Sequence, residues 1–308
     1  MANTIEYAKV FQTELDAQMV AGATSGWMEL NSNLVKYNGG NEVKIPKVIM
    51  DGLADYDRSN GFVKGAVNLS YETHTLTMDR GRTFTLDAMD VDETNFVATA
   101  GAVLGEFQRS QVIPEVDAYR YSKIASLAIA NNRASGGYTA STSDILTRLM
   151  NDIYAVYDIV GEGVPLVISL NMAIAGILDT ADKMEKKLEV VDFVQGNATM
   201  KVKSIDGIPV VRVPSSRMKT AYVFKDGTTL RQEAGGFEAD ASAKDINWII
   251  SAQNAVIAVS KTDTPRIFDP SVNQTAHAWK IDLRKYHDLF IPHNKLNGIF
   301  VNIKQALA

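Results

Sequence analysis

The residues of this chain that could do chemistry are few and scattered. The four histidines are His74, His277, His287 and His293, and none stands three or four residues from another. A metal pair on a helix needs that spacing, so the histidines read as surface or packing residues. Asp87, Asp90, Asp92 and Glu93 form the only carboxylate cluster dense enough to weigh. Such a cluster can hold a divalent cation or work as an acid/base pair. At a helix start the same residues cap free N–H groups and complement the dipole. We adopt that structural reading and assign no catalytic, cofactor-binding or metal residue. The enzyme alternative is an α+β metal-dependent hydrolase built on Asp87, Asp90, Asp92 and Glu93.

No cysteine is present, which removes disulfides, thiolate metal sites and Cys nucleophiles. This suits a reducing compartment. The sequence holds no GxGxxG, GxxxxGK(S/T) or GxSxG motif. Gly161-Glu-Gly163 and Gly235-Gly236 read as a turn and a hinge. A Ser or Thr nucleophile with a distant His base leaves no linear signature, because triads are spatial, and nothing raises one above background.

The 308 residues predict about two domains, at roughly 100–200 residues each. With 46% hydrophobic and 22% charged residues, the composition is that of a globular chain able to bury a large core. The net charge is −5, without the basic excess of a phosphate-gripping protein. The densest basic cluster, Lys183, Lys186 and Lys187, sits among Asp179, Asp182, Glu185 and Glu189 and reads as a solvated helix face. The N-terminus lacks the basic start and apolar run of a signal peptide. The longest strongly apolar run, Phe96 to Gly105, is half of the roughly 20 residues that a membrane span needs. Gly101-x-x-x-Gly105 then reads as close helix packing. The Asn-x-Ser/Thr triplets at Asn68, Asn197 and Asn273 matter only on a secretory route.

The elements follow from periodicity. Ile5, Ala8, Phe11, Leu15 and Met19 line one helical face over residues 4–20, with Asn3 as its start. Gly22, Gly26 and the polar Asn31-Ser-Asn predict a flexible tether after it. Residues 39–90 predict a long β-excursion with a polar or small residue at nearly every second position. Pro46 argues for an edge strand. Residues 51–65, rich in turn residues and charges, predict the tip. Val67, Leu69, Tyr71, Thr73, Thr75 and Thr77 share one face. Asp79-Arg80-Gly81 predicts a three-residue hairpin loop with Gly81 at positive φ, placing Leu76 opposite Phe84. A lone ribbon of this kind is marginal in water and orders by lying on something else.

Helical spacing resumes over Phe96, Ala100, Val103, Leu104 and Phe107. Pro114 predicts a kink or the first turn of a new helix, with Glu115 and Asp117 near its N-terminus. Asn131-Asn132 and Gly136-Gly137 end it. Helix 143–160, strand 164–169 and helix 171–187 follow. Strands 200–205 and 208–213 flank Asp206-Gly207, a strong hairpin signal. Further strands are predicted at 221–224, 248–251 and 255–259, with alternation through 278–284 and 298–303. No period of 20–50 residues repeats.

This order of elements resembles the major capsid protein of tailed bacteriophages, the Hong Kong ninety-seven type capsid fold. The resemblance rests on Gly65-Ala-Val-Asn-Leu-Ser-Tyr-Glu-Thr, Asp79-Arg-Gly-Arg-Thr-Phe, Asp90-Val-Asp-Glu-Thr-Asn, Pro114-Glu-Val-Asp-Ala-Tyr-Arg-Tyr-Ser-Lys and Asp206-Gly-Ile-Pro-Val. It continues through Asn247-Trp-Ile-Ile, Ala255-Val-Ile-Ala-Val, Arg266-Ile-Phe, Arg284-Lys-Tyr-His-Asp-Leu-Phe and Gly298-Ile-Phe.

The resemblance implies an α+β chain with an N-terminal arm (1–38) and an extended β-hairpin loop (39–90). It implies a peripheral domain with a long spine helix (91–137 and 268–308) and an axial α/β domain (138–267). It further implies pentamers and hexamers of this chain in a closed icosahedral head shell, a separate scaffolding protein, a portal protein, and enclosed double-stranded DNA held without sequence specificity. No membrane, enzyme activity or cofactor is implied. The place implied is the virion, assembled in the host bacterial cytoplasm. Gly39-Gly40 and Gly136-Gly137 would be joints that fit one chain to five-fold and six-fold surroundings. The type member's Lys–Asn crosslink has weak counterparts in Lys64 and Asn294 or Asn297. The other readings are an encapsulin-like compartment shell and a phage tail or adaptor component.

Overall fold

The computed structural model describes residues 22–37, 40–59, 61–87, 89, 99–181, 188–195, 198–263 and 265–307. The helix expected over 4–20, Asp90, Asp92 and Glu93, and the basic cluster Lys183, Lys186 and Lys187 lie outside them.

In chain order, β1 (Lys36–Tyr37), β2 (Glu42–Met50) and β3 (Val67–Thr75) form one antiparallel sheet. β4 (Met78–Asp87) follows. The helices α1 (Thr99–Phe107) and α2 (Ile113–Ala130) are joined by a π-helical stretch, Gln108–Val112. Next come β5 (Ala134–Ser135), α3 (Ile145–Val160), β6 (Leu166–Asn171) and α4 (Met172–Asp179). Then follow β7 (Leu188–Gln195), β8 (Ala198–Ile205), β9 (Ile208–Val213), β10 (Tyr222–Phe224), β11 (Phe237–Ala239) and β12 (Ile246–Ala252). The chain closes with β13 (Ile257–Asp263), β14 (Arg266–Phe268), β15 (Ala278–Phe290) and β16 (Ile299–Ile303).

The central sheet has seven strands in the order β5-β16-β12-β6-β9-β8-β7. Both of its faces are covered, so β6 and β12 are buried at every position, as doubly covered strands must be. On one face Val167, Val211, Ile249 and Val301 pack with Tyr121, Ile124 and Ala128 of α2 and with Trp27 and Met28. On the other, Ile168, Leu170, Val210 and Trp248 pack with Ile145, Leu149, Ile153 and Val156 of α3 and Ile174 and Leu178 of α4. The α3 stripe is the one its spacing predicts, and Gly161 stops the helix at φ 85°. Asp206 and Gly207 turn the β8–β9 hairpin with φ of 51° and 79°, the two positive values that a tight primed turn requires.

Three expectations are corrected. Asp79-Arg80-Gly81 is not a turn. It lies inside β4, which pairs with β15 so that Asp79, Arg80 and Gly81 face Tyr286, Lys285 and Arg284. Gly81 is needed for close approach rather than for positive φ: a Cβ there would stand 2.9 Å from Leu283 O. Leu76 lies between strands and buries in a core with Val43, Ile45, Ile257, Val259 and Phe290.

Residues 23–34 are not a loose tether either. Gly26–Leu34 is a 3₁₀ helix whose Trp27 and Met28 are fully buried in the main core. Asn31 Nδ2 donates to the carbonyls of Gln253 (2.6 Å) and Val256 (2.8 Å), which ties this segment to the body.

Gly136 is enclosed, because a Cβ would stand 2.7 Å from both Gln305 O and Leu307 N, so that pair is not a free joint.

Pro114 takes the second of its two alternatives, the first turn of a new helix. It occupies the first turn of α2 while the helical run continues through it. Its ring crowds the carbonyl four residues back and it has no N–H to offer. The widened π-turn lies directly before it.

Candidate assembly surface

The β2–β3 hairpin divides into a seated base and an unseated shaft. At the base, Val43, Ile45 and Leu76 enter the core. Leu76 N donates to Asn41 O (2.9 Å), and Tyr286 Oη donates to Leu76 O (3.1 Å). Thr77 donates through N (2.9 Å) and Oγ1 (2.8 Å) to Asp288 Oδ2, whose other oxygen accepts from Tyr119 Oη (2.6 Å). His74 stacks on Phe290 at 4.8 Å and stands 3.1 Å from Glu72. These contacts fix where the hairpin leaves the body.

Beyond Ile45 no described residue through Thr75 is buried. Val48, Ile49, Met50, Leu53, Tyr56, Phe62, Val63, Val67, Leu69 and Tyr71 are each at least 47% exposed, and Leu53 and Phe62 reach 106% and 88%. Single exposed apolar side chains are ordinary. A contiguous run of them marks a surface that something else covers.

The tip is ordered internally. Asp57 and Gly61 form a bridge (Gly61 N to Asp57 O, 2.7 Å), with Gly61 at φ 80°. Asp51 Oδ2 accepts from Ala66 N (2.7 Å), and the Tyr56 and Phe62 rings lie 4.9 Å apart. Local polar bonds thus shape a loop whose apolar side chains stay exposed, with Tyr56 and Phe62 in contact only with each other's rings among the described aromatic pairs.

The body end is held by buried charge. Asp117, fully buried on α2, accepts from Thr24 N (3.0 Å) and Oγ1 (2.8 Å) and from Ser25 N (3.1 Å) and Oγ (2.5 Å). It accepts a fifth bond from Arg217 (2.9 Å). Arg120, 1% exposed, donates to Ser25 O at 3.2 Å and pairs with Glu29. Burial pushes the Glu29 carboxyl up, but the Arg120 and Lys285 charges outweigh it and hold the group below its usual range.

Arg80 on β4 forks onto Glu115 of α2 (2.7 and 3.2 Å) and onto the carbonyls of Lys225 (2.7 Å) and Gly236 (3.2 Å). Glu115 stands in the first turn of α2, as expected, and there also anchors this clasp. A cleft of about 620 Å³ lies there between β4, the π-turn and the loop 225–236.

Among the described residues, the structure brings no sequence-singled candidates into a reactive group, and Asp90, Asp92 and Glu93 lie outside them. His287 is buried on β15 against the edge of Tyr119 (5.5 Å). Burial, then the charges of Arg120, Lys285 and Arg80, push its pKa well below the ordinary histidine value. His277 precedes β15, and His293 opens a 3₁₀ turn on the surface. Asp87 ends β4 and accepts only from Met89 N (2.9 Å) among the described residues. No group of three or more metal-ligating side chains occurs among the described residues. Lys64 is an exposed tip residue, and Asn294 and Asn297 are exposed in the 293–298 turn. No described helix is long and apolar enough to cross a membrane.

Sequence reasoning missed the tip's apolar residues because the turn and charge signals around them dominate. The overlooked signal was Leu53, Tyr56, Phe62 and Val63 standing in a turn-rich stretch without a strand or helix period to bury them.

No family model and no curated protein sequence matches the chain. Solved structures do. The chain is similar to the mature capsid of bacteriophage PhiM1, at 13% identity and TM-score 0.55, covering 86% of this chain and 82% of that one. It is similar to the capsid of an empty GTA particle, at 13% identity and TM-score 0.55, over 92% and 90%. It is also similar to a virus-like particle from Pyrococcus furiosus, at 11% identity and TM-score 0.52, over 96% and 99%. The fold is therefore the α+β fold of tailed-phage capsid proteins, as the order of elements leads one to expect.

Proposed function

We propose that this chain is the major capsid protein of a tailed phage, a structural subunit that self-assembles into a closed head shell around the genome. The observation that carries the reading is the hairpin shaft and tip, whose ten large apolar side chains stay exposed among the described residues. Copies of the same chain supply their cover. Each contact can be weak, because a shell subunit is held on several edges at once. Head-to-tail contacts that close give rings and shells rather than filaments.

On this reading the parts are the arm (1–38), the extended loop (39–90), the peripheral domain (91–137 and 268–308) and the axial domain (138–267). Pentamers and hexamers form the lattice. A separate scaffolding protein, a portal and non-specifically held double-stranded DNA are its partners, and the assembled product is the virion, built in the host cytoplasm. No catalysis is assigned. The acidic balance suits a container that releases DNA, since a basic lining would retain it.

A second reading, a compartment shell with protein cargo, is favoured by the similarity to the Pyrococcus furiosus virus-like particle over nearly all of both chains. Electron microscopy of the expressed chain, alone and with its neighbouring gene products, tests both. Closed shells are expected, filled with DNA on the first reading and with protein on the second. A chain that stays monomeric at every concentration overturns both.

A further inference from the structure

We propose that the β7–β8 ribbon joins copies of this chain edge to edge: the outer edge of β7 in one subunit takes the outer edge of β8 in the next as an added strand. This rests on the shell reading and names a backbone joint between its subunits.

The ribbon leaves the central sheet almost at once. β8 pairs with β9 only at Ser204 and Ile205, opposite Pro209 and Ile208. Among the described residues, 198–203 pair with β7 alone, and β7, the end strand of the seven, pairs with β8 alone. A row of backbone N–H and C=O groups is therefore open along each side of the ribbon. A two-stranded ribbon by itself is marginal in water, and open edges are templates for another strand.

The turn at Asp206-Gly207 decides which amides face outward. Residues flanking such a two-residue turn exchange both hydrogen bonds, so Ile205 and Ile208 bond to each other. Pro209 then faces Ser204 at a position that asks for no N–H, and the Ser204 N–H turns to β7. Alternation along the ladder turns the N–H groups of Val191 and Phe193 toward β8, and those of Val190 and Asp192 outward. On β8 it turns those of Lys201 and Lys203 outward, past the point where β9 has left.

Seating holds the ribbon in place without using these edges. Phe193, 3% exposed, lies in the main core with Trp27 and Met28, and Val202 packs against that core. Val190, on the opposite face, is 66% exposed.

Charge selects the partner. β7 carries Glu189 and Asp192 and no cation, whereas β8 carries Lys201 and Lys203 and no acid. Two β7 edges repel each other, as do two β8 edges, while β7 against β8 brings opposite signs together. Each subunit thus owns both halves of one pairing on different surfaces. A contact of that kind passes from copy to copy and closes as a ring, and closure leaves no strand edge open. Main-chain bonds supply the affinity.

Hydrogen exchange read by mass spectrometry, on assembled shells and on unassembled subunits, tests the joint. Peptides covering 188–195 and 198–203 should both gain protected amides in the shell. Val190→Pro removes only an outward N–H, which an edge strand tolerates, so the expected product is a folded subunit that no longer closes into particles. Val191→Pro removes an N–H that faces β8 and should also lower the urea midpoint of the subunit itself. Should Val190→Pro fail to fold, the exchange measurement on parent shells decides. Shells in which either peptide exchanges as fast as in the free subunit, or full particle yield from a folded Val190→Pro, overturn the joint and leave the shell reading standing. A parent chain that forms no particles overturns both.

Discussion

The central sheet and the hairpin shaft treat apolar side chains in opposite ways. Trp248 and Trp27 are fully enclosed, each within a core built from segments far apart in sequence. Leu53 and Phe62, in the same chain, are bare. Burial in the first region stabilises the monomer. In the second the same type of side chain stays exposed among the described residues of its own chain. Hydrophobicity alone therefore does not distinguish a core from an interface; what distinguishes them is whether the chain's own topology brings a partner surface.

Substitution in each region should separate the two roles. The largest effects belong to the enclosed region. Trp27→Ala should cost about 3–5 kcal/mol in urea unfolding of the unassembled subunit. Asp117→Ala should cost a similar amount, about 3–5 kcal/mol, because it leaves Arg217 and the Thr24–Ser25 donors without their buried acceptor. A melt unchanged by Trp27→Ala would return residues 23–34 to the status of a tether.

His287 predicts a pH dependence of intermediate size. Its folded pKa lies well below the unfolded value of roughly 6.5, so the unfolded state binds the proton more tightly. Stability is full above that pH and falls as pH drops below it, by up to about 1.4 kcal/mol per pH unit until the folded value is reached. His287→Phe should flatten the urea midpoint between pH 7 and 5; an unchanged slope would place the acid sensitivity elsewhere.

Gly81→Ala should cost about 1–3 kcal/mol, because the new methyl meets the Leu283 carbonyl at 2.9 Å. The smallest effect on the monomer comes from the tip. Phe62→Ser should shift the unfolding midpoint by no more than about 0.5 kcal/mol, yet lower the yield of sedimenting particles sharply. Loss of monomer stability equal to that of Trp27→Ala would erase the contrast between the regions.

Local chemistry was legible wherever it decided the structure. The Asp206-Gly207 turn, the α3 stripe from Ile145 to Val156 and the stop at Gly161 follow from backbone sterics and 3.6-residue spacing. The misreadings share a cause, which is sequence distance. Asp79-Arg80-Gly81 carries turn residues, but its partners lie some 200 positions on, at Arg284 to Tyr286. Trp27 looks like part of a glycine-broken linker until β16 and β13 supply its surroundings. The tip was legible as a tip from its turn residues, but the exposure of its apolar side chains was not, because Phe62 stays 88% exposed among the described residues and no period in the sequence marks that.

The thirteen-residue β15 has β4 on one edge and β13 with β14 on the other, and it lies near the end of the chain. Trp27 and the base of the hairpin thus lack their packing partners until β13 and β15, far along the chain, have been made. Such late, long-range closure slows folding and leaves sticky surface on display. Lys47, Asp51, Asp55, Arg58 and Lys64, interleaved with the apolar residues of the shaft and tip, act as gatekeepers during that wait. Synthesis of β15 is then the event that roots the hairpin on the body.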